Sequence, residues 1–170
     1  MPNWVRHKVE VKGNKDRVYG FKINHIKEDI DGIMFDFSTV IKMPETVYTG
    51  SLGEKERKKY GSNNWYDWSI KNWGTKWNSA HTSVRKMVKT ETGYVLRLEF
   101  DTAWSTPIPV IKELAKMYPD LQFDVQFADE DIGSNCGFYS FDKNGADVTF
   151  LDDEGLAKDV WGITDGDEYE

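Results

Sequence analysis

Val5, Val9 and Val11 alternate with Arg6, Lys8, Glu10 and Lys12. An apolar–polar period of two predicts a strand with one buried face, and His7 falls on its inward side. Gly13-Asn14 ends the run. Residues 15–26 are expected to form a short helix with Val18, Phe21 and Ile26 on one face, interrupted by Gly20. Ile33, Phe35 and Phe37 alternate with Met34 and Asp36, which predicts a second strand running through Val40 and Ile41 to Met43-Pro44. Leu96, Leu98 and Phe100 alternate with Arg97 and Glu99 as a third strand, with a hairpin partner expected at 83–89 across Glu91-Thr92-Gly93. Thr106-Pro107 is a helix start, a cap followed by proline. Ile108, Ile111, Leu114, Ala115 and Tyr118 then share a face, and Pro119 ends the helix. Leu121, Phe123, Val125 and Phe127 form a fourth alternating strand. CGFYSFD and DVTFL are two short strands joined through Lys143-Asn144-Gly145, and Asn-Gly favours a hairpin. From Asp152 on, the chain carries one short helix at most and then an acidic tail.

This order is β-α-β, an insertion, β-α-β and a hairpin. It predicts an α+β fold: a ferredoxin-like split βαβ antiparallel sheet with a tryptophan-rich helical insertion and a C-terminal β-hairpin extension. The expected organisation is one domain over 1–152, with the insertion at about 44–82, followed by an acidic tail over 153–170.

The insertion holds NNWYDWSIKNWGTKW, with Trp65, Trp68, Trp73 and Trp77. Asn63 or Asn64 can cap a helix there, and Gly74 can end it. Trp65, Trp68 and Trp73 would share a broad face. Either the indoles close the otherwise open face of the sheet, or some form a platform that grips a ligand.

Charge sharpens the second reading. The chain of 170 residues has a net charge of −7. Residues 142–170 hold ten acids against two bases, whereas 54–89 hold nine bases against three acids. A basic middle thus faces an acidic end. The single cysteine, Cys136, permits no internal disulfide and no cysteine-based zinc site, which fits a reducing compartment. The start, MPNWVRHKVEV, lacks the apolar region of a signal peptide. No apolar run approaches the roughly 18 residues of a membrane span. The expectation is a soluble cytoplasmic protein without a membrane partner. No phosphate-binding glycine motif is present, the histidines His7, His25 and His81 lack ligand spacing, and no cofactor is expected.

Several motifs stand together: MPNW, FSTVIKMPE, YGSNNWYDWSIKNWGTKW, FDTAWSTPIPVIKELAKMYPDLQFDVQFADED, and GFY after Cys136. This succession resembles the YubB-type ferredoxin-like family of phages, prophages and plasmids, from Met1 to about Tyr139. The resemblance implies a ferredoxin-like fold named for its topology, without an iron–sulfur cluster, and it assigns no reaction and no catalytic residues. With the acidity, it implies a non-enzymatic accessory protein that binds and modulates a host bacterial protein, for instance as an inhibitor of defence. The expected protein-binding residues are Tyr139, as an exposed aromatic, with Asp152, Asp153, Glu154, Asp159, Asp165, Asp167 and Glu168. The alternative is a nucleic-acid-binding module over 54–89 using Lys58, Lys59, Lys71, Lys76, Arg85 and Lys86. Trp65, Trp68, Trp73, Trp77 and Trp104 are the structural motif in either case. Asp67 and Asp101, beside the aromatic motifs, are expected to bond backbone or indole N–H groups.

Overall fold

The computed structural model describes residues 1–145 and 148–164. In chain order its elements are β1 (Trp4–Gly13), α1 (Lys15–His25), β2 (Ile26–Asp29), β3 (Gly32–Phe35), α2 (Glu54–Tyr60), α3 (Trp65–Asn72), β4 (Ala80–Val84), β5 (Val88–Thr90), β6 (Gly93–Ala103), α4 (Ile108–Met117), β7 (Gln122–Asp129), β8 (Cys136–Phe141), β9 (Val148–Leu151) and α5 (Glu154–Trp161). β1 pairs antiparallel with β6 on one side and β7 on the other. The seven-stranded sheet runs β4-β6-β1-β7-β8-β9, and β5 continues the edge beside β6. β6, α4 and β7 form one split βαβ unit around β1. β1, α1 and β4 form the other, as a ferredoxin-like fold requires.

The alternation along β1 places Val5, His7, Val9 and Val11 on one face, all buried. Phe100, Leu98 and Leu96 of β6 stand opposite them, with Phe127, Val125 and Phe123 of β7 on the far side. Val18 and Phe21 of α1 and Val110, Ile111 and Leu114 of α4 cover that face and make one core. The 83–89 partner strand is realised as β4 and β5, both paired to β6 across the expected turn. The expected C-terminal hairpin is β8 and β9.

Three expectations are corrected. The run from 33 to 41 is not the second strand of the sheet. β3 pairs only with β2 in a separate two-stranded hairpin. The strand is cut at Asp36, whose carboxylate accepts the Ser38 N–H at 2.9 Å and draws the chain into a 3-10 turn over Phe37–Thr39. Phe35 and Phe37 are then both buried. The second strand is β4, so the segment between α1 and β4 is inserted. The tryptophans do not close the open face either. Trp73 packs on Phe37 within the main core, on the side of α1 and α4. The opposite face is covered at one end by α5, through Ala128, Cys136, Ala157 and Val160. Thr106 does not cap α4; its hydroxyl lies 2.9 Å from the Tyr139 hydroxyl, and Pro107 occupies the cap position.

Buried polar groups tie the insertion down. Burial works to raise the Asp36 pKa, but bonds from Lys27, Ser38 and Asn78 outweigh it and hold it at about 2. His25 Nε2 lies 2.8 Å from the Tyr118 hydroxyl and Nδ1 lies 2.7 Å from Thr39 Oγ1. The Thr39 hydroxyl donates to Asp36 O, so Nδ1 carries the proton and Nε2 accepts from Tyr118. His7 donates from Nδ1 to Phe100 O at 3.3 Å and stacks on the Phe100 ring, while its Nε2 is buried without a partner. Burial lowers the His7 pKa to about 3 and the His25 pKa to about 4.

Both histidines therefore fold as neutral rings and protonate near pH 6.5 only when unfolded. Their contribution is complete above that pH and is lost on acidification toward pH 4 and 3. Stability should fall by about 1.4 kcal/mol per pH unit for each ring between pH 6 and 4.5. Urea denaturation at several pH values checks this. His7→Leu should reduce the slope by about one proton, and an unchanged slope would refute the assignment.

Candidate functional site

β1 begins and β6 ends at the same end of the sheet, with Trp4 opposite Ala103. Two loops meet there. Thr75 Oγ1 donates to Ala103 O at 2.8 Å, and Ser105 Oγ donates to Gly74 O at 2.5 Å. Gly74 has φ of 77°, and a Cβ there would come within 2.8 Å of Pro109 Cδ. The α3–β4 loop is thus pressed against the β6–α4 loop, and their side chains interleave.

The result is a band of rings and cations. Lys76 Nζ lies 4.4 Å from the Trp77 ring and 4.7 Å from the Trp104 ring. Tyr66 meets Trp104 edge to face at 6.2 Å, and the Arg57 guanidinium lies 5.6 Å from Tyr66. On the other side Trp77 lies 6.1 Å from Trp4, and Trp4 lies 5.0 Å from His81. His81 Nδ1 lies 2.9 Å from Asp101, which also takes a two-pronged bond from Arg6 at 3.0 and 3.1 Å. That bond raises the Arg6 pKa. Arg6 in turn lies 4.2 Å from the Trp161 ring of α5. Asp101 is buried with both oxygens engaged by side-chain nitrogens of Arg6 and His81 rather than by the expected backbone or indole donors. Asp67 accepts from the Asn64 side chain, and Asn64 caps α3 by accepting the Asp67 N–H.

Backbone strain concentrates at this end. Among the described residues, the non-glycine residues with positive φ are His81 at 49°, Trp104 at 73° and Asn135 at 43°. The Asn135 side-chain amide donates to Trp104 O at 3.0 Å and Asp129 Oδ2 at 3.2 Å. Left-handed backbone at bulky residues costs on the order of 1–3 kcal/mol each and persists where the surroundings over-determine it. Here it holds Trp104 40% exposed.

The sequence-predicted residues divide. Trp73 is core and donates its indole N–H to Ile41 O at 2.9 Å, with Trp68 edge-on to it. Trp65 is half-buried and donates to Gly50 O at 3.0 Å. Only Trp77, half-buried, and Trp104, exposed, join the band. Lys76 belongs to it, Lys58 and Lys59 stand exposed on the adjoining α2, and Lys71 is exposed in the last turn of α3. Arg85 lines a groove of about 470 Å³ on the open face of the sheet, where Arg97 pairs with Glu10 at 3.1 Å and Lys12 with Asp124 at 2.6 Å. Lys86 is exposed between β4 and β5, outside the band.

Tyr139 is not an exposed aromatic. It is 2% exposed because its position on β8 faces the core, where its hydroxyl meets Thr106. Burial pushes its phenol well above the ordinary pKa. The exposed rings nearby are Phe138, at 46%, and Phe150, at 59%. Asp152, Glu154 and Asp159 are exposed. Asp153 is engaged as the cap of α5, accepting the Leu156 N–H at 3.0 Å. Asp165, Asp167 and Glu168 lie outside the described residues. Trp4, Tyr66 and His81 were missed, whereas Arg57 is one of the nine bases of the 54–89 segment. Trp4 carried a signal, because its even position puts it on the outward side of β1.

No group of three or more His, Cys, Asp or Glu among the described residues could hold a metal ion. No helix among them is long and apolar enough to cross a membrane.

The two classes of tryptophan should separate in stability. Trp73→Ala should cost about 3–5 kcal/mol as a core truncation, and Trp104→Ala about 1 kcal/mol or less, the scale of an exposed cation–π contact. Urea midpoints measure both, and equal costs would make Trp104 a core residue.

A family model described as the ferredoxin-like domain in Api92-like protein matches residues 72–164, more than half of the chain. The matched segment contains Lys76, Trp77, His81, Asp101 and Trp104, together with β4 to α5. No curated protein matches. Among solved structures, the crystal structure of a protein api92 from Yersinia pseudotuberculosis is similar, at 13% identity and a TM-score of 0.43, covering 68% of this chain. This chain spans 40% of the length of that protein. By the family match, the chain belongs to the ferredoxin-like domain family of Api92-like proteins.

Proposed function

We propose that this chain is a non-enzymatic accessory protein of a phage or other mobile element, which binds and modulates a protein in the cytoplasm of a bacterial host, as an inhibitor of host defence. The observation that carries the binding surface is the β9 edge. β9 is the last strand of the sheet, and its outer backbone is unpaired among the described residues. Phe150 on that strand leans on Phe127 at 5.5 Å yet stays 59% exposed. Leu151 is 36% exposed, and Asp152 and Glu154 follow at once.

An open strand edge offers a row of main-chain donors and acceptors to an extended segment of another protein. A half-anchored aromatic ring is the type of side chain that dominates binding energy. The acids beside it select a basic partner and speed encounter. The mobile-element setting rests on the motif resemblance, and the host-protein class rests on the acidity of the chain from Asp142 on.

The test is affinity capture of the tagged full chain in bacterial lysate, with and without nuclease, beside Phe150→Ser and the pair Asp152→Lys, Glu154→Lys. One stoichiometric host protein should survive nuclease and be lost by about 10-fold or more with either variant, the scale of a single hot-spot residue. Capture that ignores both variants, or that disappears with nuclease, would refute the reading.

A further inference from the structure

The geometry points to a second surface, at the end of the sheet where β1 begins and β6 ends, that binds single-stranded nucleic acid by stacking bases on Trp104, Trp77 and Trp4 and holding phosphates on Lys76, Arg57 and Lys58.

Cations and pairs of rings are interleaved along this surface: Arg57, then Tyr66 and Trp104, then Lys76, then Trp77 and Trp4. Single-strand binders interleave rings and cations, because every base has a face to stack and every nucleotide carries a phosphate. The band is built in advance. Lys76 is held between two indoles, and Trp104 is fixed by bonds at both of its backbone ends, from its N–H to Asn3 O at 2.9 Å and from Asn135 to its carbonyl. A rigid ring loses little freedom on binding.

Asp101 does not oppose a polyanion, because it is paired with Arg6 and faces His81. Glu130 accepts the Trp4 N–H at 3.0 Å and keeps its charge, which directs phosphates toward Lys76 and α2 rather than toward Trp4. The adjoining helix α2 buries no residue and carries Arg57, Lys58 and Lys59 in its last turn, so the positive charge continues past the rings. Duplexes hide their base faces in the stack, and stacking platforms therefore favour single strands. An acidic protein segment would use the cations and leave the ring faces idle, which is why nucleic acid is the better fit. The charges lining the open-face groove balance, Lys8, Arg85 and Arg97 against Glu10, Glu99 and Asp124, and offer no such surplus.

The experiment uses the full chain with fluorescently labelled 12-mers of deoxythymidine and uridine and a duplex of the same length, read by anisotropy at several salt concentrations. Single strands should bind, quench tryptophan emission and outcompete the duplex. The log–log salt slope should be about −2, for three phosphates at about −0.7 each. Trp104→Ala should weaken binding by about 10-fold or more, and Lys76→Glu should do the same. Trp104→Gly accepts the left-handed backbone and separates loss of the ring from loss of fold. Arg85→Ala, in the groove, should change nothing. Absence of binding, equal affinity for duplex, or indifference to the Trp104 variants would overturn the proposal. Displacement by polyglutamate as effective as by oligonucleotide would overturn it in favour of an acidic protein. Capture of a host protein through Phe150 is unaffected by either outcome, so the two surfaces fail or stand separately.

Discussion

Everything in this molecule hangs on the double pairing of β1. The first strand of the chain is the middle of the sheet, bonded to β6 over its whole length and to β7 over most of it. Its odd positions meet Phe100 and Phe127 on the core side, and its even positions carry Trp4, Arg6 and Lys8 to the other side. A slip of one residue would exchange the two sets and dismantle the core and the aromatic band together. The registry that buries Val5 is therefore also the one that places Trp4 beside Trp77 and Arg6 against Asp101. The family match, which begins at residue 72, contains both neighbours of this strand but not the strand, so the matched segment leaves a gap where Trp4–Gly13 belongs.

Strain and charge are arranged unevenly over this frame. The left-handed non-glycine residues sit at one end, where buried Asp101 and Asp129 accept bonds from Arg6, His81, Asn3 and Asn135. That network holds costly backbone in place and keeps indoles half outside water. The β9 edge is different in kind, an open strand bearing Phe150 next to acids.

Period-two alternation made β1, β6 and β7 legible, since each buries one face along nearly its whole length. The ends of α3, a cap at Asn63 or Asn64 and a stop at Gly74, were legible for the same kind of local reason, and the cap is Asn64. Residues 33–41 misled because Phe35 and Phe37 alternate like a strand, while a single side chain, Asp36, bends the chain between them. Tyr139 misled because CGFYSF carries aromatics on both faces, and only the pairing to β7 decides which face is buried. The aromatic band was half visible. Tryptophan density flagged the segment, but Trp4 and Trp104 join it through loops whose contacts are set by Thr75, Ser105 and Asn135, and no local pattern announces those.

Helix α2 has a thermodynamic character unlike the rest. Seven residues are too few for an isolated helix to persist in water, and this one is held by the Glu56 carboxylate on the Gly53 N–H, a Tyr48–Tyr60 stack at 4.1 Å and the Arg57–Tyr66 contact. Its opening exposes almost no new apolar surface, so it should unfold and refold on its own with little dependence on denaturant and little change in heat capacity. Its amides will then exchange with solvent long before those of β1, and any ligand that settles on its lysines will slow that local breathing as it binds.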